Sequence, residues 1–139
     1  MATRSVIAIE VDGKIISAYC HWDGYLEHNG EILNTHYRNP AKILQLISLG
    51  DMSSLGAEIG EKHDFDNREH KDWTCYYGRD RGEEGTESRS WTTTEAMIEH
   101  HWDCEYFYLW TNNRWTYSQG KKWKDLVEQL DIINAERAA

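Results

Sequence analysis

A β-hairpin is predicted by residues 5–22, which read SVIAIEVDGKIISAYCHW. Small and β-branched residues alternate on both sides of Asp12-Gly13, a pair that is typical of two-residue hairpin turns. A second Asp-Gly pair, Asp23-Gly24, closes the second strand. The chain is therefore expected to begin with two antiparallel strands.

The rest of the sequence alternates between helical and strand patterns. Apolar spacing and capping signals predict five helical segments. They are Glu31–Tyr37, Asn39-Pro40 to Gly50, a turn or two within Asp51–Ile59, the capping pattern Thr92-x-x-Glu95 through His101, and Lys121 to about Arg137. Strands are predicted over Thr74–Tyr77, Thr86–Trp91, Glu105–Thr111 and Arg114–Tyr117, with a turn at Asn112-Asn113 and a loop over Gly60–Asp72. The predicted fold class is α+β: a single domain over residues 1–139, with a mostly antiparallel sheet of hairpins and about three packed helices.

Composition limits the classes of function. The 139 residues and the 40% hydrophobic content fit one core, and the net charge of −9 argues against binding to DNA or to an anionic membrane. No apolar run is long enough to span a membrane or to form a signal peptide. The three cysteines, Cys20, Cys75 and Cys104, are far apart and form no paired motif, so we expect no disulfide framework and a cytosolic protein.

The sequence contains no recognisable catalytic machinery. A nucleophile elbow, a phosphate-binding glycine loop and a dinucleotide fingerprint are all missing. His100 and His101 are adjacent, which would point their side chains about 100° apart on a helix. We therefore expect no enzyme activity, no metal and no cofactor.

The segment from Tyr76 to Trp91 contains the strongest candidates for ligand contacts. Arg79 and Arg81 alternate between glycines, and on an extended chain both would project to one side next to Tyr77. Arg89 and Trp91 have the same spacing on the predicted returning strand. Arginine forks bind phosphates, and an aromatic ring can stack on a purine, so the pattern is compatible with a nucleotide ligand.

A structural role for the same arginines is the alternative. The segment could be a solvated hairpin in which the arginines form ion pairs with nearby carboxylates, namely Asp80, Glu83, Glu84 and Glu87. From the residues alone this alternative is favoured. A similar group of aromatic, amide and guanidinium side chains lies at the second hairpin, where Asn112 and Arg114 are candidate ligand contacts beside Trp110 and Trp115.

Several stretches resemble a family of small phage proteins. They are the amino-terminal Met-Ala-Thr-Arg-Ser, Cys20–Tyr25, Glu31–Tyr37, Leu46–Leu55 and Tyr77–Glu83, and the likeness extends over most of residues 1–117. The chain is similar in these motifs to the phage-encoded Thoeris anti-defence sponge family, whose members sequester the cyclic ADP-ribose signals of TIR-domain immunity.

The resemblance implies a function, a partner and a location. It implies a cyclic ADP-ribose-type nucleotide that is bound and released intact, with possible binding of cyclic oligonucleotides from CBASS defence. It also implies a homo-oligomer, dimer or hexamer, in the cytoplasm of the infected bacterial host. Arg79 and Arg81 are carried over from the shared motif, whereas Tyr77, Arg89, Trp91, Asn112 and Arg114 are chosen on chemistry. The alternatives are an acidic phage inhibitor that binds a host protein and a signal-cleaving, phosphodiesterase-like enzyme.

Overall fold

A computed structural model describes the protein over residues 2–62 and 72–138. The strands are Ser5–Val11 (β1), Lys14–Cys20 (β2), Met52–Ser54 (β3), Cys75–Tyr76 (β4), Arg89–Trp91 (β5), Tyr106–Thr111 (β6), Arg114–Ser118 (β7) and Lys124–Asp125 (β8). The α-helices are Glu31–His36 (α1), Pro40–Ser48 (α2), Tyr77–Arg81 (α3), Thr94–His100 (α4) and Leu126–Ala138 (α5), and a π-helical turn, Leu26–Gly30, precedes α1. None of the described helices has the length and apolar character needed to cross a membrane.

The eight strands form one sheet around the first hairpin. Its order is β4-β3-β2-β1-β6-β7-β8, and β5 pairs with the first half of β2. The pairings β1–β6 and β2–β3 are parallel, whereas the other strand pairings are antiparallel. The predicted α+β class with a mostly antiparallel sheet is therefore confirmed. The parallel contact between β1 and β6 joins the two predicted hairpins into one sheet.

The sheet has an apolar cluster on each face, because side chains alternate along every strand. The larger cluster packs Ile7, Ala18, Tyr108 and other sheet residues against α1, α2 and α5. The smaller cluster contains Val6, Ala8, Ile15, Phe107 and Leu109 and is covered by Met97 and Ile98 of α4. We call the surface of this smaller cluster the α4 face.

Local turn and capping signals predicted the first hairpin, the last hairpin and one helix start correctly. Asp12 and Gly13 have φ of 52° and 78°, and Asn112 and Asn113 have φ of 51° and 63°. Two successive positive φ angles define the type I′ turn that these residue pairs favour. Asn39 caps α2 as expected, since its side-chain oxygen accepts the Ala41 N–H at 2.8 Å.

Two helix predictions were wrong in extent or type. Asp51–Ile59 contains the short strand β3 instead of helical turns, because Met52 and Ser54 pair with β2 and β4. The closing helix begins at Leu126 and not at Lys121. Lys124 and Asp125 instead pair with β7, and the Asp125 carboxylate accepts the Glu128 N–H at 3.0 Å, which marks the true start of the helix.

The predicted hairpin from Thr74 to Trp91 was also wrong. After β4 the chain forms α3, whose carboxy-terminal residue is followed by Gly82 at a φ of 69°. The returning strand is shortened to β5, and it pairs with β2 and not with β4. The cap of α4 is Thr93 rather than Thr92, because its side-chain oxygen accepts the Ala96 N–H at 3.1 Å. Most of the predicted loop over Gly60–Asp72 lies outside the described residues.

Candidate functional site

The pairing of β5 with β2 places Arg89 and Trp91 on the α4 face. Ser17 lies opposite Arg89, and Ile15 lies opposite Trp91. Ile15 belongs to the smaller apolar cluster, and Trp91 packs against that cluster. The Trp91 Nε1–H donates to the Ser17 hydroxyl at 2.8 Å, which fixes the orientation of the indole. The prediction that Arg89 and Trp91 share one face is consistent with this alternation along β5.

Five rings meet beside Arg89 and form what we call the ring cluster: Tyr19, His21, Trp91, His100 and His101. The Trp91 ring centroid lies 5.1 Å from that of His100 and 6.1 Å from that of His101. Tyr19 and His101 have nearly parallel planes, at 9°, with centroids 6.3 Å apart. The Tyr19 hydroxyl is 2.7 Å from His21 Nδ1. The cluster therefore joins β2, β5 and the end of α4 into one aromatic surface.

The central rings of this cluster are uncharged at neutral pH. Burial, with smaller contributions from the positive charges of His100 and Arg89, lowers the pKa of His101 to about 4. Burial is also the main reason that the pKa of Tyr19 is raised to about 12, and Cys104 and Tyr77 add to this. The surface thus combines the neutral rings of Tyr19, Trp91 and His101 with adjacent guanidinium groups of Arg89 and Arg4, which suits an aromatic anion.

Asp51 connects the ring cluster to α3. Its carboxylate accepts the Tyr19 N–H at 3.0 Å, and its backbone carbonyl accepts the Tyr77 N–H at 3.2 Å. Burial raises the pKa of Asp51, an effect opposed by the Tyr19 N–H and by Arg89. On α3, the guanidinium of Arg81 lies over the Tyr77 ring, 5.3 Å from its centroid. Tyr77 and Arg81 are therefore linked through Asp51 to the same region as Arg89.

Arg79 has a structural environment. Its Nε and Nη2 donate to the Asp80 carboxylate at 3.0 and 3.1 Å, and Nη2 also donates to the Thr74 carbonyl at 2.8 Å. Nη1 donates to the carbonyls of Ile59 and Gly60 at 2.9 and 3.1 Å. All five guanidinium donors are thus occupied, and none is left for a phosphate. The extended arrangement predicted for Arg79 and Arg81 is wrong because both residues lie on α3.

The alternative hypothesis was that the arginines of this segment form ion pairs with nearby carboxylates. Among the described residues, it holds for Arg79 but not for Arg81 or Arg89. Its partner Asp80 is fully buried at the side chain. Within residues 2–62 and 72–138, neither Arg81 nor Arg89 forms an ion pair shorter than 4.0 Å. These two guanidinium groups therefore keep donors that a ligand could use.

Asn112 and Arg114 lie far from the ring cluster. Strands β2, β1 and β6 separate β5 from β7, which corresponds to about 19 Å at the usual strand spacing of ~4.8 Å. Asn112 lines a cavity of 460 Å³ between the two hairpin turns and the start of α2. Arg114 lies 4.0 Å from the Asp125 carboxylate. The structure thus does not bring the second hairpin to the site around Trp91.

Sequence reasoning missed Tyr19 and Asp51, and it considered His21, His100 and His101 only as metal ligands or acid–base groups. The alternation along β2 places Tyr19 on the same face as Ser17, but the register that brings Trp91 to Ser17 carries no local sequence signal. No group of three or more His, Cys, Asp and Glu side chains arranged to hold a metal occurs among the residues that the structure describes.

Three large aromatic side chains that lie close in sequence to histidines are exposed to solvent. Trp102, which follows His101, is 82% exposed, Trp22, which follows His21, is 44% exposed, and Tyr25 is 37% exposed. The Trp22 ring contacts the His21 ring edge-on at 4.7 Å between centroids.

Comparison of the chain with known protein families, with curated proteins and with solved structures found no match.

Proposed function

We propose that the protein binds an adenine-bearing cyclic nucleotide of the cyclic ADP-ribose type and holds it without cleaving it. The ligand lies on the α4 face, where its base contacts the ring cluster and its phosphates contact Arg89 and Arg81. By the phage-family resemblance, this sequestration blocks Thoeris or CBASS immunity in the cytoplasm of the infected bacterium.

The observation that carries this proposal is the position of Arg89 beside Trp91, Tyr19 and His101. A nucleotide needs a flat apolar surface for its base and a cation for its phosphates, and these four residues supply both. Stacking of a base on an aromatic side chain contributes about 1–3 kcal/mol. A charge-assisted hydrogen bond from arginine adds roughly 1.5–3 kcal/mol before entropic costs.

The overall negative charge is compatible with an anionic ligand. The chain carries a net charge of −9, but screening limits the range of exposed charges to about 8 Å at physiological ionic strength. Contacts with Arg81 and Arg89 would act well within that range, and neither guanidinium is ion-paired within the described ranges of the chain. Local attraction at the site can thus exceed the repulsion from distant carboxylates.

Calorimetry with glycocyclic ADP-ribose tests the proposal. We expect saturable binding at micromolar ligand by protein whose circular dichroism is that of a folded chain. Chromatography of the ligand after heat release should recover it unchanged, even after overnight incubation with added divalent metals. No binding by folded protein would refute the proposal, and recovery of a cleaved product would replace the sponge with a signal-cleaving enzyme.

A second candidate function is inhibition of a host protein through the exposed aromatic surface. Trp102 supports it, because an 82% exposed tryptophan gains much from burial in a protein contact. The same exposure also supports a homo-oligomer, in which a second copy would cover Trp102. The two possibilities differ in the assembly state of the isolated protein.

A further inference from the structure

A second cavity lies at the opposite edge of the sheet from the ring cluster. It has a volume of 260 Å³ and is lined by Tyr117, Gln119, Lys121, Lys122 and Lys124. In the sheet order, β1 and β6 separate β7, which carries Tyr117, from β2, which carries Tyr19. This lysine cavity is therefore separate from the site proposed above.

The charge of the cavity is opposite to that of the chain. Three lysines fall within residues 121–124 of a protein whose net charge is −9. None of the residues that line the cavity is acidic. In the described part of the chain, none of the three lysines forms an ion pair. Three lysines that line one cavity carry like charges that repel one another, and a bound anion would replace part of that repulsion with attraction.

Strand pairing directs the carboxylate of the next residue in the chain, Asp125, away from the lysines. Lys124 lies opposite Tyr117 in the β7–β8 pair, and Asp125 lies opposite Thr116. Because successive residues of a strand face opposite sides of a sheet, Lys124 shares a face with Tyr117 while Asp125 points to the other face. The Asp125 carboxylate accepts the Glu128 N–H at 3.0 Å and lies 4.0 Å from the Arg114 guanidinium. It is therefore engaged elsewhere and does not neutralise the cavity.

The wall of the cavity includes a buried tyrosine and a glutamine, which are both uncharged side chains. Tyr117 is 5% exposed and belongs to the larger apolar cluster. Burial, and to a lesser extent Tyr106, raises the pKa of Tyr117, so its hydroxyl keeps its proton at neutral pH. The Ser118 hydroxyl accepts the Gly120 N–H at 3.0 Å, which orders the turn before the lysines. The Gln119 amide adds further donors.

We infer that the lysine cavity binds a small phosphate-bearing anion. Lysine ammonium groups act as point charges on phosphate oxygens, and three lysines line this cavity together with a tyrosine and a glutamine. Its volume lies just below the usual range of about 300–1,000 Å³ for ligand pockets, which fits a compact ligand. The inference does not depend on the nucleotide function proposed for the α4 face.

A titration of ¹⁵N-labelled protein with inorganic pyrophosphate tests this inference. Pyrophosphate is added at constant ionic strength, with sodium chloride as the matched salt, and amide shifts are followed by NMR. We expect saturable shifts that are largest over residues 119–124. The double variant Lys121→Gln/Lys124→Gln should weaken the affinity at least about tenfold, because two charge-assisted contacts are lost.

The control is the double variant Lys14→Gln/Lys62→Gln. Lys14 and Lys62 are exposed and lie outside the cavity, and their replacement changes the net charge by the same two units. We expect this control to keep its affinity within about twofold, since exposed distant charges are screened. The inference is overturned by non-saturating shifts, by saturable shifts confined to other residues, or by an equal loss of affinity in both double variants.

Discussion

Arg79 and Arg81 are separated by one residue on α3 but have different surroundings. Arg79 uses all five donors within the protein, whereas Arg81 lies over Tyr77 and donates a long hydrogen bond of 3.5 Å to the Ser53 hydroxyl. The same residue type in one motif thus serves the fold at one position and remains available for a ligand at the other.

We predict that Arg79→Ala lowers the free energy of unfolding by about 3 kcal/mol. Removing Arg79 takes two charge-assisted hydrogen bonds from the Asp80 carboxylate, whose side chain is 0% exposed, and the donors from the carbonyls of Ile59 and Gly60. Arg79→Lys should recover only part of this loss, because an ammonium group cannot reach all the acceptors of the planar fork. Urea unfolding measures the effect. Equal stability of Arg79→Ala and the parent protein would contradict the structural role.

Arg81→Ala and Trp91→Ala are expected to weaken nucleotide binding without unfolding the protein. Each should lower the affinity for glycocyclic ADP-ribose by about 5- to 150-fold, the equivalent of roughly 1–3 kcal/mol for a stacking or charge-assisted contact. Calorimetry gives the affinities. Arg38→Ala is the control, since Arg38 is exposed and donates a hydrogen bond to the nearby Asn34 side chain at 3.3 Å. If both variants bind as tightly as the parent protein, the site is misplaced.

The low pKa of His101 predicts a loss of stability in acid. The folded protein holds this pKa at about 4, below the usual value of 6.5, so the unfolded chain takes up the proton first as the pH falls. The stabilising contribution of neutral His101 is complete above pH 6.5 and is lost as the pH falls towards 4. Because the ring is only half-buried, we expect an effect of about 1 kcal/mol between pH 7 and pH 5.

Comparison with His101→Gln isolates this contribution from the other titrating groups. Urea unfolding of both proteins at pH 7 and pH 5 gives two changes in the free energy of unfolding. The parent protein should lose more stability than the variant over this interval. An identical pH dependence in the two proteins would show that His101 titrates normally in the folded state.

At the scale of elements, Gly50 joins the end of α2 to the segment before β5. Its φ is +97°, and a Cβ atom there would lie 2.3 Å from the Thr86 carbonyl oxygen. The next residue, Asp51, donates its N–H to that same carbonyl at 2.7 Å. The glycine thus permits the close approach that sets Asp51 beneath Tyr19 and Tyr77.

We predict that Gly50→Ala lowers the free energy of unfolding by about 3 kcal/mol or more, from backbone strain and the displaced carbonyl. Gly120→Ala is a matched control, because Gly120 has a φ of +101° but no atom within 4 Å of the added Cβ. It should cost only about 1 kcal/mol, from the strained φ alone. Thermal or urea unfolding compares them. Equal costs would mean that the contact with Thr86 contributes nothing.

Elements with local signals were predictable, and those set by distant contacts were not. Asp12-Gly13, Asn39-Pro40 and Asn112-Asn113 each carry their own turn or cap chemistry, and the structure confirms all three. Met52, Leu55 and Ile59 have helical spacing, but all three are buried by residues far along the chain. Pairing with β2 and β4 therefore overrides the local pattern around β3.

In the candidate site too, features with local sequence signals were predictable, and those set by distant contacts were not. Alternation within one strand was enough to place Arg89 and Trp91 on a common face. Their meeting with Tyr19 depends on the β2–β5 register, which joins residues more than seventy positions apart, as in the bond from Trp91 to Ser17. The structural role of Arg79 likewise depends on carbonyls of Ile59 and Gly60, which no local pattern indicates.

At the scale of the whole molecule, the exposed Trp102 predicts an assembly that one substitution can disrupt. If a second copy covers this side chain, Trp102→Ser should shift the protein from an oligomer to a monomer in sedimentation velocity at micromolar concentration. Leu49→Ser is the control, since Leu49 is 38% exposed at the end of α2. A parent protein that is already monomeric would argue against the homo-oligomer and favour a contact with a host protein.

The central position of β1 has a consequence for how the protein is made. One edge of β1 pairs with β2 almost at once, but the other edge pairs with β6, with Ser5 opposite Tyr106. A ribosome that adds 5–20 residues per second needs roughly 5–20 s to synthesise the intervening chain. During that interval the nascent hairpin exposes an apolar edge that can pair with other chains. Synthesis speed and chaperone access should therefore govern the yield of this protein more than its final stability does.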